Sequence, residues 1–181
     1  MNNHDFKQFK TTDGRTVTVR RMLPADVNHL VTLYRHLSPE TLYARFQEPA
    51  ANLPPWRVLN EARALAEDGY RQGRGVLAFV DIAEEGPTPV AAARYIRLSP
   101  DAAEASITVR DDFQRQGIGR HLLAILAEEA RKEGITKLIA NVSANNRGVL
   151  KLLSRAPYPA KREHYGPEMS VELDLTRDQK V

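Results

Sequence analysis

Of the 181 residues, 42% are hydrophobic and 27% charged, a balance that suits one soluble globular domain over 1–181 and excludes a disordered or membrane-embedded chain. Lys and Arg number 26 against 23 Asp and Glu, interleaved in stretches such as Arg110-Asp111-Asp112 and Glu128-Glu129-Ala130-Arg131-Lys132-Glu133; this describes a mixed solvated surface, with no basic stripe to make nucleic acid a partner. The absence of cysteine excludes disulfides, thiolate metal sites and cysteine nucleophiles.

The polar stretch Met1 to Lys10 lacks the apolar core of a signal peptide, and nowhere do about 18 apolar residues run together, so a cytoplasmic chain with no membrane partner is expected. Residues 1–12 are expected as a flexible segment and 176–181 as a tail. Asp13-Gly14 is a tight-turn pair, and the β-branched run Thr16 to Val19 after it predicts a hairpin or first strand. Pro24-Ala25-Asp26 opens a helix whose apolar residues Val27, Leu30, Val31, Tyr34 and Leu37 follow the helical period. Ser38-Pro39-Glu40 starts a second, short helix through Leu42, Tyr43 and Phe46, with Ser38 as its N-cap. Pro49 to Pro55 reads as a loop and Trp56 to Asp68 as a helix ended by Gly69, Gly73 and Gly75, with Trp56 in a packing role. Val76 to Ile82 and Val90 to Leu98, joined by Glu84-Glu85-Gly86-Pro87, predict a central antiparallel hairpin. Glu104 to Val109 alternates as a strand, and Ile118 to Lys132 carries a helical stripe. A strand over Lys137 to Ser143, a helix over Arg147 to Arg155 and a strand over Met169 to Leu175 complete an α/β (α+β) order, which argues for a mixed sheet with helices on both faces.

The most informative stretch is the strand ending at Val109 followed by Gln114-Arg115-Gln116-Gly117-Ile118-Gly119-Arg120 at the start of a helix. The first N–H groups of a helix have no internal partners and carry partial positive charge, so an anion can sit on them. Gly117 and Gly119 are expected to leave room for it, and Arg115 and Arg120 to add positive charge. A phosphate-bearing ligand is the natural occupant. A Walker-type loop would need Lys and Ser or Thr after the second glycine, where Arg120-His121 stands, and a dinucleotide fingerprint needs a glycine at Leu122.

Gln114-Arg115-Gln116-Gly117-Ile118-Gly119 resembles the pyrophosphate motif of the GNAT superfamily of N-acetyltransferases, and Asn145-Asn146-Arg147-Gly148-Val149-Leu150 is similar to that family's second cofactor segment. The resemblance implies a mostly antiparallel central sheet of six to seven strands, splayed where the strand ending at Val109 leaves its neighbour. It implies acetyl-CoA as co-substrate, with pantetheine along Thr108 and Val109, the diphosphate on Gln114, Arg115, Gln116, Gly117, Ile118, Gly119 and Arg120, and Asn146 as a further contact. Within the family, Leu37 to Phe46 and the Ala103-Glu104, Val109-Arg110-Asp111-Asp112-Phe113-Gln114 pattern resemble the bacterial protein lysine acetyltransferases, in which a Glu at the place of Glu104 serves as base.

Acetyl transfer to an amine needs the neutral amine, so a base must take a proton from an ammonium of pKa about 10. Glu104 is the candidate; the alternative is an exposed glutamate at a strand end with no task. Many family members place a Tyr acid seven residues after the Asn, but counting from Asn146 reaches Leu153, so solvent is expected to protonate the leaving thiolate. Tyr158 and Tyr165 are assigned to packing or capping. His4, His29, His36, His121 and His164 lack metal-ligand spacing and there is no Gly-x-Ser-x-Gly elbow, so neither a metal nor serine hydrolysis is expected. The expected acceptor is a primary amine, a protein lysine or a small molecule, in a monomer or homodimer. A non-catalytic acyl-CoA-binding module and a nucleotide-dependent protein stand as rival readings.

Overall fold

The structure, a computed structural model, describes residues 7–177; His4 and positions 178–181 lie outside the described residues. One sheet of eight strands organises them: β1 (Lys7–Lys10), β2 (Thr16–Arg21), β3 (Gly73–Ile82), β4 (Gly86–Arg97), β5 (Ala102–Val109), β6 (Lys137–Ser143), β7 (Ala160–Tyr165) and β8 (Glu168–Asp174), in the spatial order β1-β2-β3-β4-β5-β6-β8-β7. Every neighbouring pair is antiparallel except β5 and β6, which run parallel because a helical crossover joins them.

Helices α1 (Val27–Arg35), α2 (Pro39–Phe46) and α3 (Pro55–Arg71) precede β3, α4 (Ile118–Lys132) makes the crossover, and α5 (Arg147–Ser154) follows β6. They cover both faces. Leu30, Leu33 and Tyr34 of α1, Phe46 of α2 and Ala62, Leu65 and Ala66 of α3 pack on Leu77, Phe79 and Ala92. On the other face Ile118, Leu122 and Leu126 of α4 and Leu153 of α5 meet Ala91, Ala93, Tyr95, Ala103, Leu138 and Val171. Each fully buried Leu or Ile in such a layer contributes about 1.5–3 kcal/mol. Covered on both sides, β3 and β4 read as unbroken apolar runs, whereas β8 buries Met169, Val171 and Leu173 and turns Glu168, Ser170 and Glu172 the other way. No helix of the described residues is long and apolar enough to cross a membrane.

The sheet has eight strands where six to seven are expected, and β1 and β7 are the two that no sequence pattern placed. β1 lies within the segment expected to be flexible, and β7 between the predicted helix over Arg147 to Arg155 and strand over Met169 to Leu175, where the sequence predicts no element. Both are edge strands, and β7 is exposed at every position, so their pairing comes from backbone hydrogen bonds with β2 and β8 and no apolar alternation announces them. Helix α3 also runs through Gly69 to Arg71: a Cβ at Gly69 would come within 3.2 Å of the Gly75 Cα, so this glycine serves close packing on β3 and does not end the helix.

Candidate active site

The site begins where β5 loses a neighbour. It pairs with β4 from Ala103 to Val109, but with β6 only from Ala102 to Glu104. Among the described residues no strand lies against the β6-side edge of Ala105 to Val109, so the splay expected here is present. Alternation sends Ala105, Ile107 and Val109 toward the α4 layer and Glu104, Ser106 and Thr108 toward the α1 to α3 layer.

Past Val109 the chain passes through a 3-10 turn at Asp111–Phe113 and enters α4 through Gly117, whose φ of +87° lies in the left-handed region. No side chain caps the N-terminus of α4. By contrast, Ser38 Oγ accepts from Thr41 N at α2 (3.2 Å) and Asn146 Oδ1 from Val149 N at α5 (3.1 Å). Helix α1 continues out of a 3-10 turn, and α3 opens on Pro55, which brings no amide hydrogen. The α4 amides therefore face outward with Arg115 and Arg120 exposed beside them, which is the arrangement a diphosphate requires. Ile118 is 1% exposed, so only its backbone can reach a ligand. Gly119 also serves packing: a Cβ there would stand 3.3 Å from Leu152 Cδ2, so this glycine lets α5 close on α4.

Around the turn, the side chains of Gln114 and Gln116 hold the loop. Gln114 Nε2 donates to the Val109 carbonyl (3.1 Å) and to Asp111 Oδ1 (3.2 Å). Gln116 Oε1 accepts from Arg15 (3.0 Å) and its carbonyl from Thr12 N (3.3 Å), while the Arg15 guanidinium lies 4.2 Å over the Phe113 ring. The β1–β2 hairpin thus braces the turn, and Phe9 stacks on His121 with centroids 3.9 Å apart. Burial, helped by the Arg120 charge, pushes the His121 imidazole pKa down. Arg110 and Asp112, read from sequence as solvated surface, form an ion pair of 2.7 Å, and Arg110 is only 9% exposed.

Glu104 sits at the fork, half-buried, with Asn141 Nδ2 of β6 donating to its Oε1 (3.0 Å). Ile139, its register partner on β6, lines a cavity of about 170 Å³ with Lys161, Glu163, Ser170 and Glu172. No tyrosine stands where a thiolate acid is usual: Leu153 is 4% exposed within the core. Tyr158 packs under the Arg131 guanidinium, 5.0 Å away, and Tyr165 is exposed with its hydroxyl donating to Glu163. Among the described residues no group of three His, Asp or Glu side chains could hold a metal.

The turn residues, Thr108, Val109 and Glu104 thus line one strand and the helix start that follows it, while Asn146 lies at the start of α5 with its Oδ1 engaged in capping. Sequence reasoning missed Arg15, Asn141 and Asp111. Each acts through a partner at least 37 residues away, for which the sequence carries no local signal.

A model of the acetyltransferase (GNAT) family matches residues 30–156. The chain is 34% identical over 166 residues to Acetyltransferase Pat of Mycolicibacterium smegmatis, covering 90% of this chain and 46% of that protein, so it spans about half that relative's length. It is 27% identical to the L-methionine sulfoximine/L-methionine sulfone acetyltransferase of Pseudomonas paraeruginosa, covering 89% of this chain and 92% of that one. The crystal structure of the GNAT domain of S. lividans PAT matches with a TM-score of 0.80 at 26% identity, over 96% of this chain and 99% of that chain.

Proposed function

The chain belongs to the acetyltransferase (GNAT) family, and from that premise we propose that it transfers acetyl from acetyl-CoA to a primary amine by direct attack within a ternary complex. The observation that carries the reading is the uncapped N-terminus of α4 next to the free edge of β5. The amides of Ile118, Gly119 and Arg120 and the side chains of Arg115 and Arg120 would hold the diphosphate. The backbone of Thr108 and Val109 would pair with pantetheine as a strand would. Gln114 and Gln116 shape the turn, and Asn146 retains its Nδ2 for the ligand.

Acetyl-CoA supplies an acetyl group activated as a thioester. Glu104, oriented through Oε1 by Asn141, takes a proton from the acceptor ammonium. The amine nitrogen then forms the N–C bond as the C–S bond breaks, the acylated nitrogen gives up its second proton to solvent, and the thiolate takes a proton from solvent, since Leu153 has none to give. A protein lysine is the acceptor favoured by the Leu37 to Phe46 and Ala103 to Gln114 segments. The cavity lined by Ile139, Lys161, Glu163, Ser170 and Glu172 gives an alkyl ammonium the apolar Ile139 and the carboxylate of Glu172, Glu163 being paired with Lys161 at 2.7 Å.

The test begins with calorimetric titration of acetyl-CoA and a thiol-release assay on lysine peptides and L-methionine sulfone. Glu104→Gln is expected to keep acetyl-CoA binding and lose about a hundredfold or more in turnover; unchanged turnover removes Glu104 from its role. Turnover of the sulfone alone sinks the lysine assignment. Binding with no release from any amine makes the chain an acyl-CoA-binding module.

A further inference from the structure

We propose that α2 forms one wall of the acceptor channel and that Asp111 is a positioning residue whose carboxylate ties this helix to the turn that holds coenzyme A, so that amine binding depends on it and coenzyme A binding does not. The inference rests on the acetyltransferase reading of the site. Asp111 stands two residues beyond Val109, at the mouth of the fork. Its Oδ2 accepts from the backbone N–H of Ser38 (2.7 Å), and its Oδ1 from the hydroxyls of Ser38 (2.8 Å) and Thr41 (2.7 Å) and from Gln114 Nε2 (3.2 Å). Three of these four donors belong to the start of α2, some 70 residues back in the chain, and the fourth to the cofactor turn. Burial works against the ionised carboxyl, but the Ser38 N–H and the Thr41 and Ser38 hydroxyls outweigh it and hold Asp111 below the ordinary aspartate range. A carboxylate at a helix N-terminus also complements the dipole, and hydrogen bonds to a charged acceptor are the strong ones.

From that anchor α2 extends eight residues, about 12 Å, to its last turn. There Arg45 pairs with Glu61 of α3 and Phe46 packs edge-on against Tyr34 at 5.4 Å. Burial opposes the charge of Arg45, yet the Tyr34 oxygen and the Glu61 and Glu104 carboxylates outweigh it and push its pKa up. One end of α2 is therefore fastened to the cofactor turn, and the other packs through Phe46 on the sheet face toward which Glu104 points. Releasing the first end lets the wall shift relative to Glu104 without touching the amides of α4.

Asp111→Asn keeps the shape but turns an NH2 group toward the Ser38 and Thr41 donors. Calorimetry with acetyl-CoA, steady-state kinetics with a lysine peptide and hydrogen exchange of the α2 and α4 amides would be compared with wild type. The expected result is an amine KM raised about tenfold, with kcat and the acetyl-CoA Kd within about threefold, and faster exchange in α2 alone. Thr41→Val is expected to move the same quantities in the same direction by less, and the double variant to be less than additive. Acetyl-CoA affinity falling in step with the amine KM, or unchanged KM and α2 exchange in both variants, overturns the tie. A wild type that neither binds acetyl-CoA nor acetylates any amine sinks the enzyme reading instead; α2 exchange in Asp111→Asn then decides by itself whether the carboxylate holds the helix.

Discussion

Two helix starts flank the loop after β5, and the chain finishes them in opposite ways. At α2, Ser38 caps the first turn and Asp111 sets an ionised carboxylate on its backbone and hydroxyl donors. At α4 the corresponding amides meet no side-chain cap, and Arg115 and Arg120 reinforce their positive end. The same dipole is satisfied internally in one place and left for an external anion in the other. A helix end completed from within acts as structure, and an end left incomplete can act as a binding site; under the proposed function the loop from Arg110 to Gly117 serves both, because its one inward-facing carboxylate, Asp111, is directed to α2 while its glycine opens α4.

The comparison breaks if α4 is given an anion of its own. Gly117→Asp places a carboxylate at the helix entrance, at a φ of +87° that Asp tolerates better than most side chains. The expected outcome is a loss of acetyl-CoA affinity of about tenfold or more, on the order of 1.4 kcal/mol or above, with about 1 kcal/mol lost from the free protein. Calorimetry and urea unfolding check the two parts. Undiminished acetyl-CoA binding would place the diphosphate somewhere other than the start of α4.

The closed end is probed by Ser38→Ala, which removes the cap of α2 and one donor to Asp111. Loss of such a cap costs about 1 kcal/mol, within roughly 0.5–2. A lower urea midpoint with unchanged thermal stabilisation by acetyl-CoA is expected. If stabilisation by acetyl-CoA falls as well, the two helix ends are not separable in the way the geometry implies.

The open end was legible in the sequence and the closed end only in part, and distance along the chain accounts for the difference. The turn, its glycines and both arginines sit within seven consecutive positions, Gln114 to Arg120, so pattern alone marks the candidate anion site. Ser38 as a cap is also local, since its partner is Thr41. What completes that end, Asp111, comes from 73 residues away, and in sequence it is one more acid in a charged stretch. The same holds for Asn141 beside Glu104 and for Arg15 beneath Gln116: polar side chains of ordinary type acquire a role only when the sheet order brings β6 next to β5 and the β1–β2 hairpin under the turn. Most of the fold was legible because its core elements carry apolar periodicity; β1 and β7, polar and at the edges, do not.

The smallest effect sharpens the comparison through protons. His121 lies in the first turn of α4, so close that a Cβ on Gly117 would stand 4.0 Å from its Cδ2. Burial first, and the Arg120 charge second, hold its pKa below the ordinary histidine value. The native state therefore binds fewer protons than the unfolded chain just below pH about 6.5, so the contribution to stability is complete above that pH and is lost as the pH falls through it. An anion on the α4 amides reverses the balance, because it favours the protonated imidazole. Acetyl-CoA binding near pH 6 should then take up a fraction of a proton, measurable as a dependence of calorimetric enthalpy on buffer ionisation, and His121→Phe, which preserves stacking on Phe9, should abolish it. Asp111 offers no such signal, since its carboxyl stays ionised well below that range. Equal proton uptake in the wild type and in His121→Phe would mean that the ligand's charge does not reach the first turn of α4, and would count against the open end as the phosphate site.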